Sequence, residues 1–408
     1  MDRPVTFALI GLGGISQSQH LPNLNRADGI QLQTVCDLRS ELIDATRTKY
    51  QIPHGVTDVQ QVLADPEIDA VLIATRPDTH VELTLAALQA GKHVYVEKPL
   101  AESTEQCQKV VAAQQAAGKL VAVGFNRRMA PACCKAKEIL NAHGGPRNIH
   151  YRITDAYHIW GADFPPGSRV LHELGHVFDL LRFITDAEVT SVYCLAARPD
   201  DECIVLQFAS GCVASIMSSG YVEYDMPKES FEIVMERGAL TVNEYVELRT
   251  FGLPDEPTRI CFAGHTHPDH DVTHRALFEA GNLNAMYDIR RRYWNLYREL
   301  NQPDESASHD PRRRKAMEAE LARLPLINYM MDKGWLGALE HFARAIAGDI
   351  PLQLADAAAG LRVAQITDAV IKSRELHRPV EIPIILSTSR APSASMAPNS
   401  VCHPVSIC

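Results

Sequence analysis

The sequence lacks the features that mark membrane, secreted and nucleic-acid-binding proteins. No apolar run approaches the roughly 20 residues that a membrane-spanning helix needs. Met1 to Gly11 shows no basic segment followed by an apolar stretch and a cleavage site, so we expect no signal peptide. The net charge of −10 argues against a surface that binds nucleic acid. We therefore expect neither a membrane nor a nucleic acid among its partners.

Cysteine is present, but its spacing is not that of a disulfide framework or a zinc site. The ten cysteines include no Cys-x-x-Cys pair. In a long chain without a secretion signal, this usage is typical of reduced thiols, and we expect a cytoplasmic protein.

What the sequence does contain, up to Arg128, is a regular alternation of short apolar runs with helical patterns. With 408 residues the chain is long enough for two domains and a large core. Strands that alternate with helices predict a parallel, doubly wound sheet. In such a sheet the carboxyl ends of the strands share one edge, which here would carry Gly11, Asp37, Thr75, Lys98 and Asn126.

The first apolar run, Val5 to Ile10, ends in a glycine-rich turn that precedes a helical pattern. The turn reads Gly-Leu-Gly-Gly-Ile-Ser, a variant of the dinucleotide-binding motif in its strand–turn–helix context. Gly11 permits the tight turn, and Gly13 lets the backbone approach a pyrophosphate. Ser16 replaces the usual third small residue and should still allow the helix to pack closely on the strand.

The second strand, Leu32 to Cys36, ends on Asp37, near the position at which a carboxylate binds a ribose 2′-hydroxyl. That carboxylate would repel a 2′-phosphate, so NAD is favoured over NADP. Arg39 keeps the alternative open, because a guanidinium there can stack on adenine or attract the phosphate.

The run Val94 to Val96 ends on Glu97-Lys98-Pro99. Pro99 has no N–H and a fixed φ, so it stops the ladder and holds Glu97 and Lys98 at the rim of the sheet. A solvated ion pair at a strand end is the alternative to a functional lysine.

These motifs, together with Thr-x-Pro-x-x-His from Thr75 and Gly-Phe-Asn-Arg-Arg from Gly124, resemble the Gfo/Idh/MocA oxidoreductases. That family includes glucose–fructose oxidoreductase and inositol dehydrogenase. The resemblance implies that Lys98 orients the substrate hydroxyl and assists its proton transfer, and that His80 lies near the cofactor. The expected cofactor contacts are Gly11, Gly13, Gly14, Ile15, Asp37, Arg39, Thr75, Arg76, Pro77, His80, Glu97, Lys98 and Asn126.

Farther along, His172 to Ile184 has a helical period with an apolar side and a polar side. A solvated face would explain the polar side, but the family's second domain places a His-x-x-Asp helix over the nicotinamide, and His176 and Asp179 match that pattern. Many family members carry an aspartate four residues before the histidine. This chain has His172 there and Glu173 next to it, so the acid partner of His176 stays open. The predicted catalytic residues are Lys98, His176, Glu173 and Asp179.

The polyol itself would be held by a wider set of side chains. The predicted substrate contacts are Lys98, Arg128, Tyr157, His158, Trp160, Arg169, His172 and His176.

Several alternating strands without intervening helices follow between Val189 and Phe262, which predicts an open, mostly antiparallel sheet. An apolar sheet face is usually covered by another subunit. By resemblance this sheet is the oligomer interface, so we expect a homodimer or homotetramer.

Two stretches do not fit the family pattern. His-x-His-x-Asp-His at residues 265–270 has the spacing of zinc ligands in metallo-β-lactamases, but the dinucleotide-type N-terminus argues against that fold. A loop that lines or caps the pocket, or plain surface, are the other interpretations, and we predict no metal. The arginine triplets 290–292 and 312–314 are typical of solvated helix faces, or of recognition of an anionic group.

The sequence therefore predicts an α/β protein with a Rossmann domain at 1–128 and a substrate-binding and oligomerisation α/β domain at 129–386. A helical insertion at about 272–330 and a disordered tail at 387–408 complete it. The predicted function is an NAD-dependent oxidoreductase of a sugar, sugar derivative or cyclic polyol. The alternatives are an NAD-dependent glycosidase that oxidises its sugar transiently, and a non-catalytic dinucleotide sensor.

Overall fold

The computed structural model describes residues 3–161, 164–223, 226–262, 283–301, 310–324 and 331–383. Over these residues the chain forms two compact units. The first contains residues 3–130, 168–192 and 333–382; the second contains the described parts of 131–167 and 193–332. The sequence predicted one boundary, after residue 128, whereas the structure returns two later segments to the first unit.

The first unit is built on a parallel sheet. Its described strands are Val5–Ile10 (β1), Ile30–Cys36 (β2), His54–Val56 (β3), Ala70–Ile73 (β4), His93–Val96 (β5) and Val121–Val123 (β6). The strand order is β3-β2-β1-β4-β5-β6, and neighbouring strands pair in parallel. β1 and β4 are buried along their whole length because both faces of the sheet are covered, which is why they consist of apolar residues throughout. The predicted doubly wound sheet is confirmed.

Helices connect these strands and continue into the second unit. A π-helical turn spans Ser16–His20, and a 3-10 turn spans Asn126–Met129. The α-helices are Leu21–Leu24 (α1), Ser40–Tyr50 (α2), Val59–Ala64 (α3), Pro77–Gln89 (α4), Thr104–Ala117 (α5), Pro131–Ala142 (α6), Tyr157–Trp160 (α7), Arg169–His172 (α8), Gly175–Thr185 (α9), Leu283–Asn301 (α10), Pro311–Arg323 (α11), Trp335–Ile346 (α12) and Ala357–Leu376 (α13). Three helices are capped at their N-termini by side chains that accept hydrogen bonds from backbone N–H groups of the first turn: Asp58 for α3, Ser103 for α5 and Asp356 for α13.

The core of the first unit includes residues from the C-terminal part of the chain. Phe342 of α12 meets Phe7 of β1 and Tyr95 of β5 edge to face, with ring centroids 6.3 and 5.9 Å apart. All three side chains are fully or almost fully buried. Aromatic contacts of this kind add to the burial of apolar area, so the sheet and α12 form one core.

The segment predicted as one helix from His172 to Ile184 is divided. α8 ends at His172, and α9 begins at Gly175. Every residue of α9 except Arg182 and Phe183 is buried, including His176 and Asp179. The polar side of this helix is therefore not a solvated face, and the side chains that pair with its acids come from the 3-10 turn after β6, in the same unit.

The second sheet is mostly antiparallel, as the sequence predicted. Its strands are Asn148–Thr154 (β7), Val189–Arg198 (β8), Asp201–Phe208 (β9), Val213–Ser219 (β10), Glu229–Val234 (β11), Ala239–Asn243 (β12), Glu247–Phe251 (β13), Arg259–Cys261 (β14) and Val380–Glu381 (β15). The order is β14-β13-β12-β11-β7-β10-β9-β8-β15, in which β10 and β7 pair in parallel.

One face of this sheet exposes apolar side chains. Val205, Met217, Val234 and Phe251 are exposed, and the strand registers place them on the same face. The strand residues that alternate with these point to the other face and are buried, as the residues of β9 show. In the part of the chain that the structure describes, this face of the sheet therefore presents apolar side chains to solvent.

The predicted helical insertion contains α10 and α11, and its arginines are mostly paired. Arg290 is buried and donates to the buried carboxylate of Glu244, at 2.9 Å. Arg292 forms an exposed two-bond pair with Glu320, and Arg313 pairs with Glu299. Arg290 therefore attaches α10 to its own unit, and the two exposed pairs link α10 with α11.

The cluster at 265–270 and the tail at 387–408 lie outside the described residues. Among the helices that the structure describes, none has the length and hydropathy required to cross a bilayer.

Candidate functional site

The glycine-rich turn after β1 has the backbone shape that a bound dinucleotide needs. Gly11 has φ +92°, and a Cβ there would lie 2.6 Å from the carbonyl oxygen of Ala74. Only glycine fits that position. By contrast, a Cβ added to Gly13 or Gly14 would meet nothing within 4 Å. The space next to these two glycines is therefore open. Ser16 stabilises the turn by donating a hydrogen bond from Oγ to the Gly11 carbonyl at 2.6 Å.

Asp37 follows β2, and its carboxylate accepts four hydrogen bonds, one of them from Nη2 of Arg39 at 3.3 Å. The backbone N–H of Leu12 donates to Oδ2 at 2.8 Å, and the N–H and Nε of Arg39 each donate to Oδ1 at 3.0 Å. Burial raises the pKa of this carboxyl, but the hydrogen bonds and the charge of Arg39 lower it by more, so its pKa lies below the usual value. Asp37 is therefore a carboxylate at neutral pH, and the Arg39 guanidinium is occupied by it rather than presented alone.

His80 lies in the first turn of α4, after the loop that follows β4, and is buried. His80 is 1% exposed, with Nδ1 2.7 Å from the Pro99 carbonyl and Nε2 3.2 Å from the Thr75 carbonyl. It joins the loops that follow β4 and β5. Arg76 and Pro77 begin α4, and the Arg76 side chain is exposed.

Glu97, the first residue after β5, is buried against a histidine that the sequence did not single out. Its Oε1 lies 2.9 Å from Nε2 of His20, and its Oε2 accepts the backbone N–H of Lys98 at 3.1 Å. Burial raises the pKa of Glu97, but the His20 hydrogen bond and the charges of His20 and Lys98 lower it by more, so the pKa lies below its usual value. Gly124 leaves room for this carboxylate, since a Cβ there would be 3.0 Å from it.

The Lys98 side chain reaches the segment that leads into α9. Its Nζ donates to the carbonyl oxygen of His172 at 2.6 Å. His176, one turn farther along, is 4% exposed and meets the Phe125 ring edge to face, at 5.8 Å between centroids. The amine of Lys98 and the start of the histidine helix thus belong to the same compact unit.

Two adjacent arginines of the 3-10 turn hold the two acids that flank His176. Arg127 pairs with Glu173 at 3.3 Å, and both side chains are buried. Arg128 donates from Nε and Nη2 to the two oxygens of Asp179, at 2.7 and 2.6 Å. Both acids are therefore matched by a cation, and Arg128, a predicted substrate contact, is engaged with α9.

Asn126 anchors the returning chain. Its Nδ2 donates to the Lys333 carbonyl at 2.7 Å. Its Oδ1 is buried and has no hydrogen-bond partner among the residues that the structure describes. An acceptor left in this way at a strand end suits a donor from a ligand, such as the amide of a nicotinamide. The open glycines, the Asp37 carboxylate and this acceptor fit NAD.

The remaining predicted substrate residues are divided between the units. Arg169 and His172 lie in α8 of the first unit, where Arg169 is fully buried. Tyr157 and His158 lie in the second unit: Tyr157 stacks on Phe164, and His158 stacks on Tyr221. Trp160 ends α7, and its side chain is outside the described part. The roles of all five in substrate binding stay predictions.

Comparison with known families gives two matches along the chain. A family model described as an oxidoreductase family with an NAD-binding Rossmann fold matches residues 5–125. A model of the GFO/IDH/MocA C-terminal domain matches residues 135–241.

Among curated relatives, an inositol 2-dehydrogenase of Acidothermus cellulolyticus is 31% identical over 265 residues, which are 59% of this chain and 73% of that protein. A myo-inositol 2-dehydrogenase of Thermotoga maritima is 28% identical over 271 residues, 61% of this chain and 78% of that protein.

A solved scyllo-inositol dehydrogenase of Lactobacillus casei, with bound NAD(H) and scyllo-inositol, has a TM-score of 0.65 at 16% identity. The similarity covers 93% of this chain and 99% of that one. An oxidoreductase domain protein of Kribbella flavida has a TM-score of 0.69 at 20% identity, covering 94% and 100%. These structural similarities concern the fold.

Proposed function

Because the chain belongs to the GFO/IDH/MocA family of NAD-binding oxidoreductases, we propose that it is an NAD-dependent dehydrogenase of a cyclic polyol or sugar. Relatives at 28–31% identity that are named inositol 2-dehydrogenases support the polyol class. The observation that carries the proposal is the position of Lys98, a cationic donor after β5 that reaches the segment before His176.

In the proposed reaction, Lys98 binds the hydroxyl that is oxidised. An ammonium has three N–H donors, and the contact with the His172 carbonyl takes one of them, which fixes the direction of the side chain. A cation in this place stabilises the negative charge that develops on the substrate oxygen as its proton leaves.

His176 accepts that proton. An imidazole changes its charge near neutral pH, which suits it to this step. Glu173 and Asp179 lie on either side of it in sequence, but each is paired with an arginine. We assign both acids to holding α9, which carries His176, against the 3-10 turn after β6, rather than to relaying protons themselves.

The chemistry that NAD supplies when bound is acceptance of a hydride. On the side of this chain, Gly13 and Gly14 leave room for the pyrophosphate, and Asp37 is a carboxylate for the ribose hydroxyls. The same charge repels a 2′-phosphate, which favours NAD over NADP.

The test is a substrate screen with purified protein and NAD. The panel contains myo-inositol, scyllo-inositol, aldoses, uronic acids and aryl glycosides, and both NADH absorbance and free aglycone are followed. We expect NADH to accumulate with at least one cyclic polyol or sugar. Release of aglycone without NADH would replace the proposal with a redox-neutral glycosidase, and NAD binding without any turnover would favour a sensor.

We also propose that the exposed apolar face of the second sheet pairs with a second copy of the chain. Val205, Met217, Val234 and Phe251 on one face support this, because an apolar sheet face is rarely left in water. Light scattering after size exclusion should give a dimer or tetramer, and Val234→Lys should shift it toward the monomer. A monomeric wild type would contradict this part of the proposal.

A further inference from the structure

A buried histidine–carboxylate pair lies directly behind Lys98, and the reaction proposed above does not use it. His20 is 1% exposed and Glu97 is 5% exposed, and their side chains meet at 2.9 Å. Burying polar groups costs free energy unless they are hydrogen-bonded. A buried pair next to a reactive amine therefore suggests a function for the pair.

His20 is surrounded by aromatic rings, and its side-chain hydrogen bond is made with Glu97. Its ring meets Trp335 at 5.5 Å and Tyr95 at 6.1 Å between centroids, both edge to face. Its Nδ1 is buried without a hydrogen-bond partner among the described residues, so the polar contact of the ring is made by Nε2. A carboxylate accepts only, so Nε2 carries the proton and donates it to Oε1.

Glu97 transmits this contact to Lys98. While Oε1 accepts from His20, Oε2 accepts the backbone N–H of Lys98 at 3.1 Å, so both oxygens are fixed. Gly124, directly after β6, lies against the carboxylate, and a side chain there would press on it at 3.0 Å. The titratable groups that face Glu97 are His20, Lys98 and Tyr95.

We propose that His20 is a positioning residue that keeps Glu97 anionic and fixed, so that Glu97 in turn maintains Lys98 as an ammonium aimed at the substrate hydroxyl. This inference rests on the proposed function of Lys98. It follows from geometry and charge: a buried anion next to an ammonium favours the charged form of that ammonium. Loss of the His20 donor makes the anion harder to maintain, and Lys98 then loses its proton at lower pH.

The experiment compares His20→Leu, which removes the donor, with His20→Gln, whose amide can donate from near the position of Nε2. The first readout needs no turnover. Competitive labelling with acetic anhydride across pH, followed by mass spectrometry of the Lys98 peptide, gives the midpoint at which the amine becomes reactive. We expect this midpoint to fall by about one pH unit in His20→Leu and to stay near the wild-type value in His20→Gln.

The second readout is the pH profile of kcat/KM with the substrate found in the screen. The ammonium is present below its pKa and is lost as the pH rises, so a lower pKa moves the alkaline limb to lower pH. The alkaline limb of His20→Leu should move with the labelling midpoint, and kcat/KM above that limb should fall about tenfold. The dissociation constant of NAD should change less than about twofold.

Glu97→Gln keeps the shape of the side chain and serves if His20→Leu does not fold; it should lower the Lys98 midpoint in the same direction. Trp335→Phe is the matched control, because it changes a ring that touches His20 without removing the hydrogen bond, and it should leave the midpoint unchanged. Equal midpoints in wild type, His20→Leu and Glu97→Gln would overturn the inference. If no sugar or polyol is turned over, the proposed function fails, while the labelling result still decides the role of His20.

Discussion

Arg128 donates two parallel hydrogen bonds to Asp179, from Nε to Oδ2 at 2.7 Å and from Nη2 to Oδ1 at 2.6 Å. The carboxylate is 1% exposed and the guanidinium side chain 12%. This pair fixes the helix that carries His176 to the turn after β6. A fork-shaped pair of this kind is geometrically specific, and breaking it leaves a buried charge without its partner.

We therefore expect Asp179→Asn to lower the free energy of unfolding by about 3 kcal/mol, measured by denaturant unfolding at neutral pH. The matched control is Glu320→Gln. Glu320 accepts two bonds from Arg292 in the same geometry, but both side chains are about half exposed. Its loss should cost less than about 1 kcal/mol. Equal effects of the two substitutions would show that burial of the Arg128 pair is unimportant.

Two glycines of the turn after β1 have different roles: Gly11 is needed for the fold, and Gly13 for cofactor binding. Gly13→Ala adds a methyl group to open space, so the melting temperature should stay within about 2 °C of wild type, while NAD affinity should fall at least about tenfold. Gly11→Ala is the contrasting variant, because its Cβ would meet the Ala74 carbonyl at 2.6 Å and should destabilise the fold itself. Calorimetry of NAD binding and thermal melting measure the two effects. Undiminished NAD binding by Gly13→Ala would place the pyrophosphate elsewhere.

The charge of Asp37 decides the choice of dinucleotide. Asp37→Asn keeps an acceptor for the Leu12 N–H but removes the charge that holds Arg39. We expect the ratio of NADP to NAD affinity to rise at least about tenfold, because the released guanidinium can meet a 2′-phosphate. Asp78→Asn, at an exposed carboxylate of α4, should leave this ratio unchanged. An unchanged ratio in Asp37→Asn would remove Asp37 from the adenosine site.

His93 makes the first unit sensitive to acid. Burial, followed by the charge of Lys119, lowers the pKa of His93 to about 4, and its Nδ1 accepts the Leu120 N–H at 3.1 Å. The unfolded chain binds a proton at its ordinary pKa of about 6.5, so below that pH protonation favours unfolding. Stability should therefore decline by about 1–2 kcal/mol as the pH falls from 6.5 to 4, a value reduced for partial exposure.

The variant that checks this is His93→Asn, whose Oδ1 can accept the same N–H without titrating. Its stability, measured by denaturant unfolding at several pH values, should decline less over this range. A parallel decline in both proteins would assign the acid sensitivity to other groups.

Much of the first unit could be predicted because its strands are continuous apolar runs that end on characteristic residues. β3, with three residues and an internal glycine, gave too short a pattern to be recognised. The polar side of α9 was visible in the sequence, but its partners Arg127 and Arg128 lie about 50 residues earlier, beyond the reach of any periodicity.

His20 was missed for a similar reason. A single histidine in a helical pattern after the glycine turn carries no sign of a carboxylate 77 residues away. The return of α12 and α13 to the first unit is likewise a tertiary contact, which local sequence patterns do not encode.

The account depends most on Lys98, and the most direct measurement is turnover by Lys98→Met. We expect kcat/KM for the polyol or sugar to fall by about 10³-fold or more, with the dissociation constant of NAD within about twofold of wild type. Lys109→Met, at an exposed lysine of α5, should retain full activity. Turnover by Lys98→Met at the wild-type rate would contradict the account.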